Sequence, residues 1–348
     1  MKNTVKWPVV EKWVERENIS TYWRPYGYPA IMSVASSAFS DAEQMPRWRV
    51  PQKAIVSTAI NGAFFTKREN PSQAHSANEI IASAEACIER GAQIIHVHAR
   101  DQRGYNVLSE SGFSDVLAEL RAKHPSVAFD ACLVAVNGEE CDDLRKMLKT
   151  GLIDAVPVNT TAIILGDNLF VKPPHAILEK TRLVLEAGLT PQIAVYTDAD
   201  VDNARRFLID SGLVSGPLTW LVVPGLPGCS PMYDPQSMID GYLRITRLIT
   251  HVDPGATIVA CAGGRASLYL ANLALLMGHH VRVGSEDTVW KWPHRDELIQ
   301  SNAEIFEIVR TMVAGLGREI MSGDEFRSLM RPADTASAAL GQSQVGAR

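Results

Sequence analysis

Between residues 54 and 316 the chain alternates short apolar runs with longer segments whose apolar positions recur every three or four residues. The runs AIVSTAI (54–60), QIIHVHA (93–99), VAFDACLVA (127–135), IDAVPVN (153–159), TPQIAVYT (190–197), LTWLVVPG (218–225), ATIVACA (256–262) and HVRVG (280–284) read as strands. Each is followed by an amphipathic stretch of helical period, from SANEIIASAEACIERGA after the first to DELIQSNAEIFEIVRTMVAGLG after the last. Ser76 with Glu79 three residues on is a capping-box start, and Gly151 suits a helix C-terminus. Near-continuous apolar strands separated by helices imply a parallel sheet covered on its outer face. Eight such units predict a closed (β/α)8 TIM barrel over residues 51–330. No G-x-G-x-x-G joins a strand to a helix, which argues against a dinucleotide-binding sheet.

Two segments lie outside this pattern. Residues 1–50 hold Trp7, Trp13, Trp23 and Trp48, four of the seven tryptophans, and are expected to form an arm packing on the barrel or on a neighbouring subunit. Residues 331–348 are small and polar and are expected to be a flexible tail. With 46% hydrophobic and 21% charged residues and a net charge of −5, the composition offers no basic surface for nucleic acid or an anionic membrane. There is no apolar run of about 20 residues and no signal-peptide core near the start. The cysteines, Cys87, Cys132, Cys141, Cys229 and Cys261, form no C-x-x-C pair, which fits a cytoplasmic chain without disulfides or a thiolate metal site. Cys132 and Cys261 read as small buried hydrophobes.

The chemistry is expected at the C-terminal ends of the strands, where barrel active sites lie. His96 and His98 sit near that end of the second strand, two apart and so on one face. Two converging imidazoles suit a divalent metal; the plainer alternative is a pair of buried, hydrogen-bonded histidines. The eighth strand closes on the first, so Glu286 or Asp287 in RVGSEDTVW can supply a third ligand. The carboxylate left over would serve as a general base, held ionised by Arg282; otherwise the two are a solvated acidic pair. Gly263 and Gly264, before a helix, offer backbone amides to an anion, or simply a tight turn. His279 and His280 enter the eighth strand at its other end and read as structural.

Taken together, TAINGA at strand one, GAQIIHVHARD at strand two, VNTT after strand four, AGGR after strand seven and GHHVRVGSEDTVW with SNAEIFEIVR resemble the β-keto acid cleavage enzyme family over about residues 54–330. The resemblance implies a homotetrameric enzyme with a divalent metal, typically Zn2+, on His96, His98 and Glu286. It makes Asp287 the base that takes the α-proton and Arg282 the residue that orients it. Asn61, Asn159, Gln192, Gly263 and Gly264 become substrate-binding candidates, and the partners become a β-keto acid and acetyl-CoA as co-substrate.

The chain departs from the family at several positions. Gln192 and Ala194 replace acids at the end of strand five, Cys132 and Leu133 replace a hydroxyl-bearing position, Pro157 replaces another, and Phe64 stands where a family member acting on an amino substrate has an acid. A cationic amino substrate is therefore not favoured. A metal-dependent hydrolase on the same fold is the main rival, though strands one, five and six carry none of its histidines. A non-catalytic metabolite-binding relative is the other.

Overall fold

The computed structural model describes residues 4–16, 39–42, 46–133 and 138–331. Residues up to Val50 form one compact unit and those from Pro51 another. In the first, the helix Trp7–Arg16 adjoins an antiparallel bridge, Val5 to Ser40, and Trp13 meets Phe39 edge to face at 5.8 Å. Trp23 lies outside the described residues, and Trp48 is exposed.

The second unit is the predicted barrel. Its parallel strands are β1 (Val56–Ala59), β2 (Ile94–Val97), β3 (Ala128–Ala131), β4 (Pro157–Asn159), β5 (Gln192–Val195), β6 (Thr219–Val222), β7 (Thr257–Ala260) and β8 (His280–Gly284). They are ordered β3-β2-β1-β8-β7-β6-β5-β4. The ring closes between β3 and β4 through one bridge, Asp130 to Ala155, with Asp154 N–H donating to Phe129 O at 2.7 Å. The helices that follow are α1 (Ala77–Ile88), α2 (Glu110–Lys123), α3 (Gly138–Lys149), α4 (Pro174–Glu186), α5 (Asp198–Ala204), α6 (Pro235–Val252), α7 (Ser267–Leu276) and α8 (Asn302–Gly315). The capping box of Ser76 and Glu79 opens α1 as predicted, and Gly151 after α3 takes φ +68°. The α5 helix runs on as a π-turn, Arg205–Ile209. Among the described residues no helix is long and apolar enough to cross a membrane.

Side-chain alternation sorts each strand into two apolar populations. Ile95, Phe129, Ile193, Trp220 and Ile258 belong to the layer shared with the helices. Ile94, Ala128, Ala155, Ala194, Leu221 and Val259 fill the barrel interior. A last helix, Gly323–Leu329, sends Phe326 into that interior cluster, with Met330 just beyond it doing the same. At the opposite end lies a hairpin that the sequence pattern does not predict, Ala162–Leu165 with Asn168–Val171. Ile163, Leu165 and Phe170 of the hairpin pack on the interior cluster, covering the strand ends. Gly228, at φ +88°, lets the chain after β6 press against it, since a Cβ there would meet Ile164 O at 1.7 Å.

His279 and His280 are structural, as read. His280 Nδ1 accepts from Ile55 N–H at 3.0 Å, and the Tyr242 hydroxyl bonds His279 Nδ1 at 2.7 Å. Burial, aided by the Arg318 charge, pushes their imidazoles down to about 4 and about 3. Both stay neutral in the fold while the unfolded chain takes up protons below about pH 6.5, so their stabilisation is complete above that pH and lost on acidification. The wild type should lose about 2 kcal/mol relative to His280→Asn between pH 7 and pH 5, read from denaturant unfolding at the two pH values. Parallel pH dependence in the two proteins would contradict this.

Candidate metal centre

His96 is the third residue of β2, and His98 follows the strand by one. Val97 between them faces the helices, so both imidazoles point into the barrel, their ring centroids 5.3 Å apart. Glu286 arrives from the turn after β8, one strand beyond β1 as the sequence predicted. Its Oε2 lies 2.9 Å from His96 Nε2 and its Oε1 3.3 Å from His98 Nε2. All three side chains are buried, and one ligand atom from each lies within 4.8 Å of the others. Yet neither His98 Nε2 nor Glu286 Oε2 has a hydrogen-bond partner. Buried polar atoms are rarely left so. They stand in one buried cluster, and two imidazoles with a carboxylate are a donor set for zinc or another divalent ion. The residues fit a metal.

The electrostatics agree. Burial pushes the His96 imidazole down, but Glu286 and then Asp130 outweigh it and lift it to about 9. His98 is likewise raised despite burial, first by Glu286. Burial would raise Glu286, but Arg282, His96 and His98 hold it well below the usual carboxylate range. A negative field that favours the charged form of two buried imidazoles also favours a bound cation, which would compete with their protons.

Around the triad stand residues the sequence reading did not single out. His98 Nδ1–H donates to Asn106 Oδ1 at 2.6 Å, which leaves Nε2 free to ligate. His96 Nδ1 faces Asp130 Oδ2 at 3.0 Å, a placement that follows from the register pairing His96 with Asp130. Gly62 makes room for Glu286, because a Cβ there would sit 2.2 Å from Glu286 Cγ. Arg100 holds that glycine in place, its guanidinium bonding the carbonyls of Gly62, Phe65 and Gly104. Asn302 and Ser285 tie the turn carrying Glu286 to Ile60 O, each at 2.8 Å. Asp130→Asn, which keeps the volume but weakens the acceptor facing His96, should lower metal affinity about 10–100-fold in a competitive chelator titration. Unchanged affinity would show that Asp130 does not orient the ligand.

Arg282 on β8 links the two acids. Its Nη2 donates to Asp287 Oδ1 at 2.6 Å and lies 3.0 Å from Glu286 Oε1, while Nε lies 3.3 Å from Asp287 Oδ2 and 3.1 Å from Cys261 Sγ. Asp287 is fully buried; burial raises its carboxyl, and Arg282 opposes the rise.

Several expectations change. Asn61 does not face a substrate: its amide donates to His98 O at 3.0 Å and accepts from His98 N–H at 2.9 Å, clamping the ligand's main chain. The amides of Gly263 and Gly264 are not free for an anion, since they donate to Pro224 O and Asp287 O at 2.8 and 2.9 Å. Gly264, at φ +72°, is there for the turn. Gln192 opens β5 instead of ending it, so the residue that closes this face of the strand is Tyr196, whose hydroxyl accepts from Asn159 Nδ2 at 3.0 Å. Cys261 and Cys132 are more than filler. Cys261 lies against Arg282; burial would raise the Cys132 thiol, but the nearby His98 and Lys180 bring it down to about 7.

Residues 53–331 match the beta-keto acid cleavage enzyme family. The 3-keto-5-aminohexanoate cleavage enzyme of Fusobacterium nucleatum is 30% identical over 281 residues, covering 80% of this chain and 98% of that protein. The 3-oxoadipate:acetyl-CoA acetyltransferase of Cupriavidus necator is 23% identical, covering 80% and 95%. Among solved structures, a binary complex of ObcA with oxaloacetate superposes with a TM-score of 0.62 at 14% identity, over 75% of this chain and 67% of that one, a likeness of fold. The chain is a member of the β-keto acid cleavage enzyme family.

Proposed function

We propose that this chain is a divalent-metal enzyme, with zinc the foremost candidate, that converts a β-keto acid and acetyl-CoA into acetoacetate and a new acyl-CoA. We assign it to the cytoplasm as a homotetramer, following the family resemblance. The observation that carries the reading is the adjacency of Glu286, turned to the two histidines, and Asp287, turned to Arg282. One carboxylate is thus committed to the metal set, and its neighbour is available as a base within the same buried site.

His96, His98 and Glu286 would hold the ion, which would draw electron density from the keto acid's oxygens and acidify its α-hydrogens. Asp287 takes the α-proton, and Arg282 fixes the carboxylate that receives it. The deprotonated carbon attacks the thioester carbonyl of acetyl-CoA, forming a C–C bond and expelling the CoA thiolate. That thiolate attacks the original keto carbon, whose bond to the α-carbon breaks, and the α-carbon recovers its proton from Asp287. No enzyme nucleophile is required. Cys261 suits no such role, because burial raises its thiol far above the usual range.

The test is metal analysis followed by acetoacetate release from acetyl-CoA over a panel of β-keto acids. One bound ion per chain with acyl-CoA products is the expected result. Bound metal with amide or lactone hydrolysis would make the chain a hydrolase. Absence of metal, or metal without turnover, would make it a metabolite-binding relative.

A further inference from the structure

Arg100 forms an antiparallel bridge with Asn106 in the turn that follows β2. The donors of its guanidinium go to main-chain carbonyls of two different loops. Nη1 bonds Gly104 O at 2.7 Å, within that turn. Nη2 bonds Gly62 O and, at 2.7 Å, Phe65 O, both in the loop after β1. His75 backs the turn: its Nε2 lies 3.4 Å from Nη1, and a Cβ on Gly104 would meet its ring at 2.9 Å. Carbonyls from two loops thus converge on one rigid, planar fork, a geometry that a lysine ammonium does not reproduce.

Each loop sets a residue of the triad. The turn after β2 is closed by Asp101, whose N–H donates to Tyr105 O at 2.8 Å. Its Oδ1 accepts from the N–H groups of Arg103 and Tyr105, each at 2.9 Å. So closed, the turn delivers Asn106 Oδ1 to His98 Nδ1 at 2.6 Å. In the loop after β1, Gly62 leaves the space that Glu286 fills, since a Cβ there would sit 2.2 Å from Glu286 Cγ. Its neighbour Asn61 clamps the main chain of His98. A carbonyl that drifts from the guanidinium therefore carries Asn106 or Gly62 with it, and a ligand loses the contact that orients it.

We infer that Arg100 is a positioning residue: one guanidinium braces the two loops and keeps His98 and Glu286 in register. The inference rests on the metal reading above for its effect on ion binding. It sets Arg100 apart from Arg282, which meets Glu286 and Asp287 directly. The sign of the effect separates a brace from a charge. A guanidinium acting only as a nearby charge would repel the ion, so its removal would tighten binding. Removal of a brace loosens two ligands, and binding weakens.

The experiment titrates the metal-free protein with Zn2+ against a chromophoric chelator, for wild type, Arg100→Met and Arg100→Lys. Both variants should bind Zn2+ about 10–100-fold more weakly, the usual cost of losing a residue that orients a ligand. Lysine should not rescue, because it keeps the charge and loses the fork. Tighter or unchanged binding in Arg100→Met, or wild-type binding in Arg100→Lys, would overturn the inference. If Arg100→Met does not fold, Arg100→Lys decides alone. Hydrogen–deuterium exchange of the metal-free protein, read by mass spectrometry, tests the brace without the ion. Peptides covering residues 60–66 and 100–107 should both exchange faster in Arg100→Lys, with β5 and β6 unchanged. Unchanged exchange in either loop sinks the brace even where wild type binds Zn2+. Faster exchange in both loops, with no Zn2+ taken up by wild type, keeps the brace and overturns the metal reading instead.

Discussion

His98→Ala should remove the metal and, with it, turnover, while the barrel still folds. The side chain stands one residue past the end of β2, beyond the apolar interior formed by Ile94, Ala128 and their neighbours. Its main chain is held by Asn61, whose two bonds go to backbone atoms and survive the substitution. What is lost is one of three donors and the hydrogen bond to Asn106. Removing an outer partner of a metal ligand already costs 10–100-fold, so deleting the ligand itself should cost roughly a thousandfold or more in affinity and activity. Metal content by mass spectrometry, beside a circular dichroism melt, checks both halves. A folded variant that still holds one ion per chain would remove His98 from the ligand set.

That pair of histidines was legible because strand alternation and strand order are both written in local pattern. H-x-H at a strand end fixes two side chains on one face, and the count of eight brings the eighth strand beside the first, delivering Glu286. Asp130 was less visible. In VAFDACLVA it interrupts an apolar run, and its meaning depends on the β2–β3 register that sets it opposite His96. An inward acid in a buried strand was the available signal. The amides of Gly263 and Gly264 were misjudged because sequence identifies a turn glycine but not which carbonyl its N–H meets. The position of Gln192 failed for a different reason: β5 starts later than the apolar run does, which moves the mouth of the strand to Tyr196. The hairpin over residues 162–171 was missed because its strands are largely exposed and lack the continuous apolar character of the barrel strands.

Asp287→Asn should retain the metal and stop proton removal from the keto acid. Asparagine keeps the volume, and its amide oxygen can still accept from Arg282. Glu286 keeps its contacts with His96, His98 and Arg282, so the ligand set is undisturbed. What disappears is the one carboxylate of this pair not turned to the histidines, and a neutral amide cannot take the proton in its place. Exchange of the α-hydrogens with deuterated water, followed by NMR without acetyl-CoA, isolates this step from the later bond changes. The metal-loaded variant should exchange about 100- to 10,000-fold more slowly than wild type, the usual contribution of a positioned base. A parallel fall in metal content would mean that Asp287 acts on the ion and not on the substrate. Exchange at the wild-type rate with metal bound would place the base elsewhere; Asp130 would then be the next residue to replace, since its Oδ1 is buried beside the triad with no partner.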